Sequence, residues 1–251
     1  MTARVTEEKF QIPAADGFTI HGILNVAKDN PAKKAVLVLH GFGGHPNKYE
    51  YLTAKDFFTA RGYDVIRPYF YITAKNARAL RTSTLAQHAA DLHTVLDHFK
   101  SRYSSLYATG HSYGGTTIIR ANPHQVKAVS LWDAGFSPYH AFANIIKPVL
   151  IKELDAYYTP GAIENLMGRE MLEEALAIGN PEMLAMLNKI KTPAQVIEAG
   201  NGGVNELPDL LMDGLSGPRE KHVIAGAGHC FFEQDAFPRV LDAAHAWFEK
   251  F

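Results

Sequence analysis

Leu106-Tyr107-Ala108-Thr109-Gly110-His111-Ser112-Tyr113-Gly114-Gly115 is the stretch on which the reading of this chain turns. A short apolar run leads straight into a serine that has glycine two positions before it and two positions after it, and a helical run over 116–120 leaves it. The G-x-S-x-G spacing suits a very tight strand-to-helix turn that strains the serine backbone and lifts the Ser112 hydroxyl clear of the sheet. Side chains two residues to either side would collide in such a turn, hence Gly110 and Gly114. Gly115 gives the new helix further room to pack on the strand. A plain glycine turn is the competing reading, so the surroundings have to decide.

Upstream, Ala35-Val36-Leu37-Val38-Leu39 is a continuous apolar run, as expected of a strand buried on both faces. It passes directly into His40-Gly41-Phe42-Gly43-Gly44. A serine nucleophile cannot complete acyl transfer without donors aimed at the developing oxyanion, and a glycine-rich loop lets bare backbone N–H groups approach it. The backbone N–H groups of Phe42 and Tyr113 are the candidates. A phosphate cradle would need a third glycine where Pro46 stands, and no Gly-Lys-Ser/Thr ending occurs anywhere. Downstream, Gly226-Ala227-Gly228-His229 follows the last predicted strand, 221–225. Of the 12 histidines, His229 alone sits on a glycine loop at a strand's carboxyl end after the serine, which makes it the candidate base. His111 adjoins Ser112 but is expected to point along the wrong side of the turn. His88, Asp91, His93, Asp97 and His98 fall outside the apolar stripe of their helix, so a solvated face is expected there and not a metal site.

Between these landmarks strands and helices alternate. An antiparallel hairpin is expected over 9–12 and 18–26, split by Ala15-Asp16-Gly17, then a helix over 49–61 and a strand over 63–67. A helix over 84–99 carries Thr84 and Gln87 as a capping pair, and strands follow at 106–109 and 127–132. The rhythm breaks over 138–191, which reads as short helices punctuated by Pro148, Pro160-Gly161, Gly168 and Gly179-Asn180-Pro181. It resumes with a strand at 194–199, a helix near 206–215, the strand at 221–225 and a last helix over 235–250. The expected organisation is a single domain, 1–251, with 138–191 as a helical cap insertion over one edge of a mostly parallel sheet.

Lys plus Arg number 25 and Asp plus Glu 26, a formal net charge of -1. That balance exerts no long-range pull on nucleic acid or an anionic membrane, so a small, roughly neutral molecule is the expected partner. The single cysteine, Cys230, forbids an internal disulfide and carries no signal of thiolate activation. The first residues are charged, without the apolar core of a signal peptide, and no apolar run approaches the ~18 residues that span a bilayer. A soluble, cytoplasmic protein is the expectation.

Taken together, the three glycine motifs, their order and the late histidine resemble the α/β-hydrolase superfamily over nearly the whole chain. The resemblance implies a mostly parallel, twisted sheet of about eight strands flanked by helices, and a Ser–acid–His relay needing neither cofactor nor metal. Members of the superfamily usually place the acid after the strand that follows the cap, in a pattern like G-x-x-D. Here that strand runs into Gly200-Asn201-Gly202-Gly203, and Gly203 occupies the slot. Two carboxylates offer a substitute. Asp133 ends the strand after the serine, an arrangement similar to the variant of pancreatic-type lipases, and is preferred. Glu206, three residues past the empty slot, is the alternative, and Asp209 is a poorer one because it falls inside a predicted helix.

Trp132, Phe136 and Phe231, with Phe42, lie at strand ends where they could wall a substrate pocket. Met167 and Met183, in a cap rich in methionine and leucine, either line an adaptable binding surface or merely seat the cap. The expected activity is a serine hydrolase cleaving a small, mostly uncharged carboxylic ester, or a thioester, lactone or amide, through an acyl-enzyme. The alternative is a ligand-binding or receptor-like protein on the same scaffold with slow or vestigial turnover, which the empty acid slot favours. Dehalogenase and epoxide-hydrolase chemistry would need a carboxylate where Ser112 stands.

Overall fold

Residues that alternate between two apolar faces dictate the centre of the molecule. In Lys34–Leu39 (β3) the side chains of Ala35, Leu37 and Leu39 enter one core, and those of Val36 and Val38 enter another. The first core is closed by helices α2 (Leu85–Phe99) and α3 (Tyr113–Ala121), the second by α1 (Tyr49–Thr59) and α8 (Ala236–Phe248). A strand covered on both faces has no polar side to present, which is why the sequence there is uninterruptedly apolar. The computed structural model describes residues 5–162, 165–202 and 209–251.

The remaining strands of the main sheet are β1 (Thr6–Pro13), β2 (Thr19–Val26), β4 (Tyr63–Tyr69), β5 (Ser105–His111), β6 (Ala128–Trp132), β10 (Ala194–Ala199) and β11 (Arg219–Ile224). They form one sheet of 8 strands in the order β1-β2-β4-β3-β5-β6-β10-β11. The two pairings at the β1 edge are antiparallel and the rest are parallel. The carboxyl ends of β3, β5, β6 and β11 therefore open toward the same rim, where loops can bring distant residues together.

Helix α2 begins as its sequence indicates, with the Thr84 hydroxyl accepting from the Gln87 N–H at 3.2 Å. Its polar side departs from expectation. His88 and Asp91 are buried, and only Asp97 and His98 are exposed. Segment 70–82 covers that side: Asp91 takes two bonds from Arg78, at 2.6 and 3.0 Å, and the His88 ring stacks on Phe70 with centroids 4.6 Å apart. A helix covered on a second side hides polar residues whose partners lie far off in sequence.

Residues 138–191 also differ from the all-helical expectation. The single-turn helix α4 (Pro138–His140) runs into a π-helical turn, Ala141–Ile146. An antiparallel three-stranded sheet follows, β7 (Val149–Ile151), β8 (Ala156–Tyr158) and β9 (Leu166–Met167). Helices α5 (Arg169–Leu176) and α6 (Asn180–Leu187) complete the segment, and α7 (Asp209–Gly214) follows before β11. Strands of two or three residues are too short to carry a readable alternation. No helix among the described residues is long and apolar enough to cross a membrane.

Candidate active site

Ser112 stands between β5 and α3 at φ 54° and ψ -121°, a conformation that costs a side-chain-bearing residue about 1–3 kcal/mol and persists only where the surroundings impose it. The surroundings do so through the glycines. A Cβ on Gly110 would come within 2.4 Å of the Gly114 backbone, and one on Gly114 within 2.6 Å of the Leu39 carbonyl. From below, the Ser112 N–H donates to the Trp132 carbonyl at 2.9 Å.

His229 reaches this serine from the loop after β11, its Nε2 3.0 Å from Ser112 Oγ. Its Nδ1 lies 2.6 Å from Asp133 Oδ2. A carboxylate can only accept, so the hydrogen sits on Nδ1 and Nε2 is left with a lone pair facing the hydroxyl. Asp133 is itself held tightly. It is 1% exposed, its N–H donates to the Ile197 carbonyl at 2.7 Å, and its Oδ1 accepts from the Ala199 N–H at 3.1 Å. The neighbouring strand β10 thus orients the carboxylate that orients the imidazole. Glu206 and the empty position Gly203 lie outside the described residues.

The glycine loop after β3 is pinned from three directions. The Gly41 N–H donates to Tyr51 Oη at 2.8 Å, and the Gly44 N–H to Tyr71 Oη at 3.1 Å. His40 donates from Nδ1 to the Gly41 carbonyl at 3.0 Å and accepts at Nε2 from the Phe70 N–H at 3.2 Å. That tautomer is neutral, and full burial lowers the His40 pKa to about 4. The backbone N–H groups of Phe42 and Tyr113 have no acceptor among the described residues.

A cavity of about 220 Å³ opens onto Ser112 and His229. Its apolar wall comes from Phe42, Tyr113, Phe142, Ile145 and Ile146, and Thr116, Thr159 and Gly135 add a few polar groups. Phe142 packs edge-on against Phe42 with centroids 5.0 Å apart. Of the pocket residues expected from sequence, only Phe42 is here. Trp132 is fully buried on the opposite face of the sheet, against Phe237 of α8, because strand alternation turns its side chain away from the rim. Phe136 packs in the core beside α3, and Phe231 turns under the His229 loop into the α8 core. Met167 and Met183 are wholly buried and seat the cap segment on the main core. The missed residues, Phe142 to Ile146, left a trace in the sequence: an apolar run, Ala141-Phe142-Ala143-Asn144-Ile145-Ile146, whose Ile145 stays half exposed.

Cys230, next to His229, is partly buried, and burial pushes its thiol pKa up, so nothing activates it. Among the described residues no group of three or more His, Cys, Asp or Glu could hold a metal ion.

A strained serine at the carboxyl edge of a mostly parallel sheet, served by a histidine from the last strand's loop, is the architecture of the α/β hydrolases, and this chain is one of them. Within them it belongs to the family described as serine aminopeptidase, S33, whose family model matches residues 30–157. Solved structures agree on the fold. Est1E from Butyrivibrio proteoclasticus with ferulic acid bound is 18% identical, with a TM-score of 0.79 over 96% of this chain and 98% of that one. The esterase domain of a Rhodothermus marinus protein is 18% identical, with a TM-score of 0.74 over 98% of each chain. The α/β hydrolase GrgF from Penicillium sp. sh18 is 15% identical, with a TM-score of 0.77 over 98% of each. No curated protein matches the sequence.

Proposed function

We propose that the protein is a serine hydrolase that cleaves a small, mostly uncharged carboxylic ester through an acyl-enzyme. The observation that carries this reading is the continuous hydrogen-bonded line Ser112–His229–Asp133, with spacings of 3.0 and 2.6 Å, at the mouth of an apolar cavity. Ser112 Oγ attacks the ester carbonyl as its proton passes to His229 Nε2. Asp133 holds the Nδ1–H tautomer and stabilises the imidazolium. The N–H groups of Phe42 and Tyr113 receive the oxyanion, and a donor of this kind is worth about 10²–10³ in kcat. His229 then returns the proton to the leaving alkoxide, and a water activated by the same imidazole releases the acid.

The cavity lining supports an ester over a peptide. An N-terminal ammonium would call for a carboxylate partner, and the described residues of the lining include no Asp, Glu, Lys or Arg. The volume supports a modest acyl group. A dry cavity of about 150 Å³ accepts benzene, so about 220 Å³ suits an aryl group on a short linker or a medium alkyl chain. Est1E, with ferulic acid bound, belongs to the same fold. The receptor-like alternative drew on the vacant slot at Gly203, and Asp133 beside His229 removes that motive. A cytoplasmic setting belongs to the same proposal and rests on the lone cysteine.

The test is labelling by a fluorophosphonate probe, followed by a series of p-nitrophenyl esters of graded chain length. Rapid labelling that disappears in Ser112→Ala, with turnover highest for short to medium acyl chains, is expected. A wild-type protein that stays unlabelled would refute the proposal.

A further inference from the structure

The residue before the nucleophile has work that the relay alone does not explain. His111 is 6% exposed, and its ring lies against that of His229 with centroids 4.7 Å apart and planes tilted by 35°. Its Nε2 is 2.7 Å from the backbone carbonyl oxygen of His229. A carbonyl only accepts, so His111 donates, as the neutral Nε2–H tautomer.

At His229 itself this bond has no substitute among the described residues, although the Asn201 N–H also ties the loop, donating to the Ala227 carbonyl at 2.8 Å. The loop 226–231 is built around Gly226, at φ 80°, and Gly228, and its internal bonds run from the Ala227 N–H to Ile224 and from the Phe231 N–H to Gly228. Neither involves the backbone of His229. Among the described residues, the donation from His111 is the one hydrogen bond that the His229 backbone makes. Phe231 meets the His111 ring edge-on, with centroids 6.2 Å apart. The backbone of the base therefore lies on a glycine-bounded loop that Asn201 pins at Ala227 and His111 pins at His229 itself.

We infer that His111 is a positioning residue: by holding the His229 carbonyl it ties the backbone of the base to the serine elbow and fixes the distance between Nε2 and Ser112 Oγ. The inference rests on the reading of Ser112 and His229 as nucleophile and base. Burial, with the neighbouring His229, lowers the His111 pKa to about 3, so the donor stays neutral over the range in which the base must act. Misplacing a reacting group by about 1 Å costs on the order of 10²-fold in rate.

Two amides of like polarity separate positioning from mere packing. The glutamine amide nitrogen extends to where Nε2 of histidine lies, and the asparagine nitrogen only to the place of Nδ1. His111→Asn should lower kcat and the rate of fluorophosphonate labelling by about 10–100-fold with KM little changed, and His111→Gln should recover most of the loss. Thermal midpoints of the two variants, read by circular dichroism, serve as the folding check. Wild-type kcat in His111→Asn, or equal loss in Asn and Gln variants of equal midpoint, overturns the inference. An unlabelled wild-type protein would instead overturn the reading of Ser112, so the two failures are distinguishable.

Discussion

Lowering the pH from 7 to 5 should cost this protein a substantial part of its stability, and the reason lies in three buried imidazoles. His40, His88 and His111 are enclosed, and burial depresses each: His40 to about 4, His111 to about 3 and His88 well below its ordinary value. In the unfolded chain each returns to about 6.5. Above that value both states are neutral and the histidines contribute no pH dependence. Below it the unfolded chain takes up protons that the folded one refuses, so stability is lost as pH falls from 6.5 toward the folded values. At pH 5 His40 and His111 each shift the balance by about 2 kcal/mol, about 4 kcal/mol together, against a typical total of about 5–15, and His88 adds to the loss in the same direction. Urea unfolding followed by circular dichroism at pH 8, 7, 6 and 5 measures it. The expected curve is flat from 8 to 7 and falls steeply below 6.5. A loss under about 2 kcal/mol between pH 7 and 5 would show that these rings are hydrated or already charged in the fold. His88→Phe sharpens the test. Neither nitrogen of His88 has a hydrogen-bond partner among the described residues and the ring stacks on Phe70, so the variant should show a shallower acid slope while keeping its stability at pH 7.

Three further outcomes follow from the site. Asp133→Asn should reduce kcat by about 10⁴-fold with little change in thermal midpoint, because the amide presents a donor to Nδ1 and favours the wrong tautomer; near-normal turnover would move the acid elsewhere. Gly114→Ala would drive a methyl group to 2.6 Å from the Leu39 carbonyl, which is backbone and cannot yield, so a loss of about 3 kcal/mol or more in urea unfolding is expected together with loss of Ser112 labelling. Phe142→Ala enlarges the cavity wall beside Phe42, and the preferred p-nitrophenyl ester should shift toward longer acyl chains; an unchanged preference would place the acyl group outside this cavity.

The parts of the fold that could be read in advance are those where local sterics leave one solution. Gly110, Gly114 and Gly115 each face an atom that a Cβ would strike, so their spacing alone declares the elbow. The apolar run of β3 was equally plain, because both of its faces are covered. Asp133 was readable only as one of two substitutes, since its contact with His229 depends on β6 and β11 lying two strands apart across β10. The pocket was illegible for a different reason. Trp132 stands at the right height on β6 but faces the wrong way, and the residues that do wall the cavity come from a π-helical turn with no periodic signature. His111 went unrecognised because its acceptor is a backbone carbonyl, which every residue has.

The order in which these parts leave the ribosome has a consequence of its own. Ser112, Asp133 and the Phe42 loop all precede residue 202, whereas His229 follows β11, a strand whose sole neighbour in the sheet, among the described residues, is β10. A nascent or C-terminally clipped chain carries the hydroxyl and the carboxylate without the imidazole between them, and its serine is then an ordinary alcohol. On the proposed mechanism reactivity would switch on only when the final strand docks, which would make covalent labelling of Ser112 a reporter of completed folding.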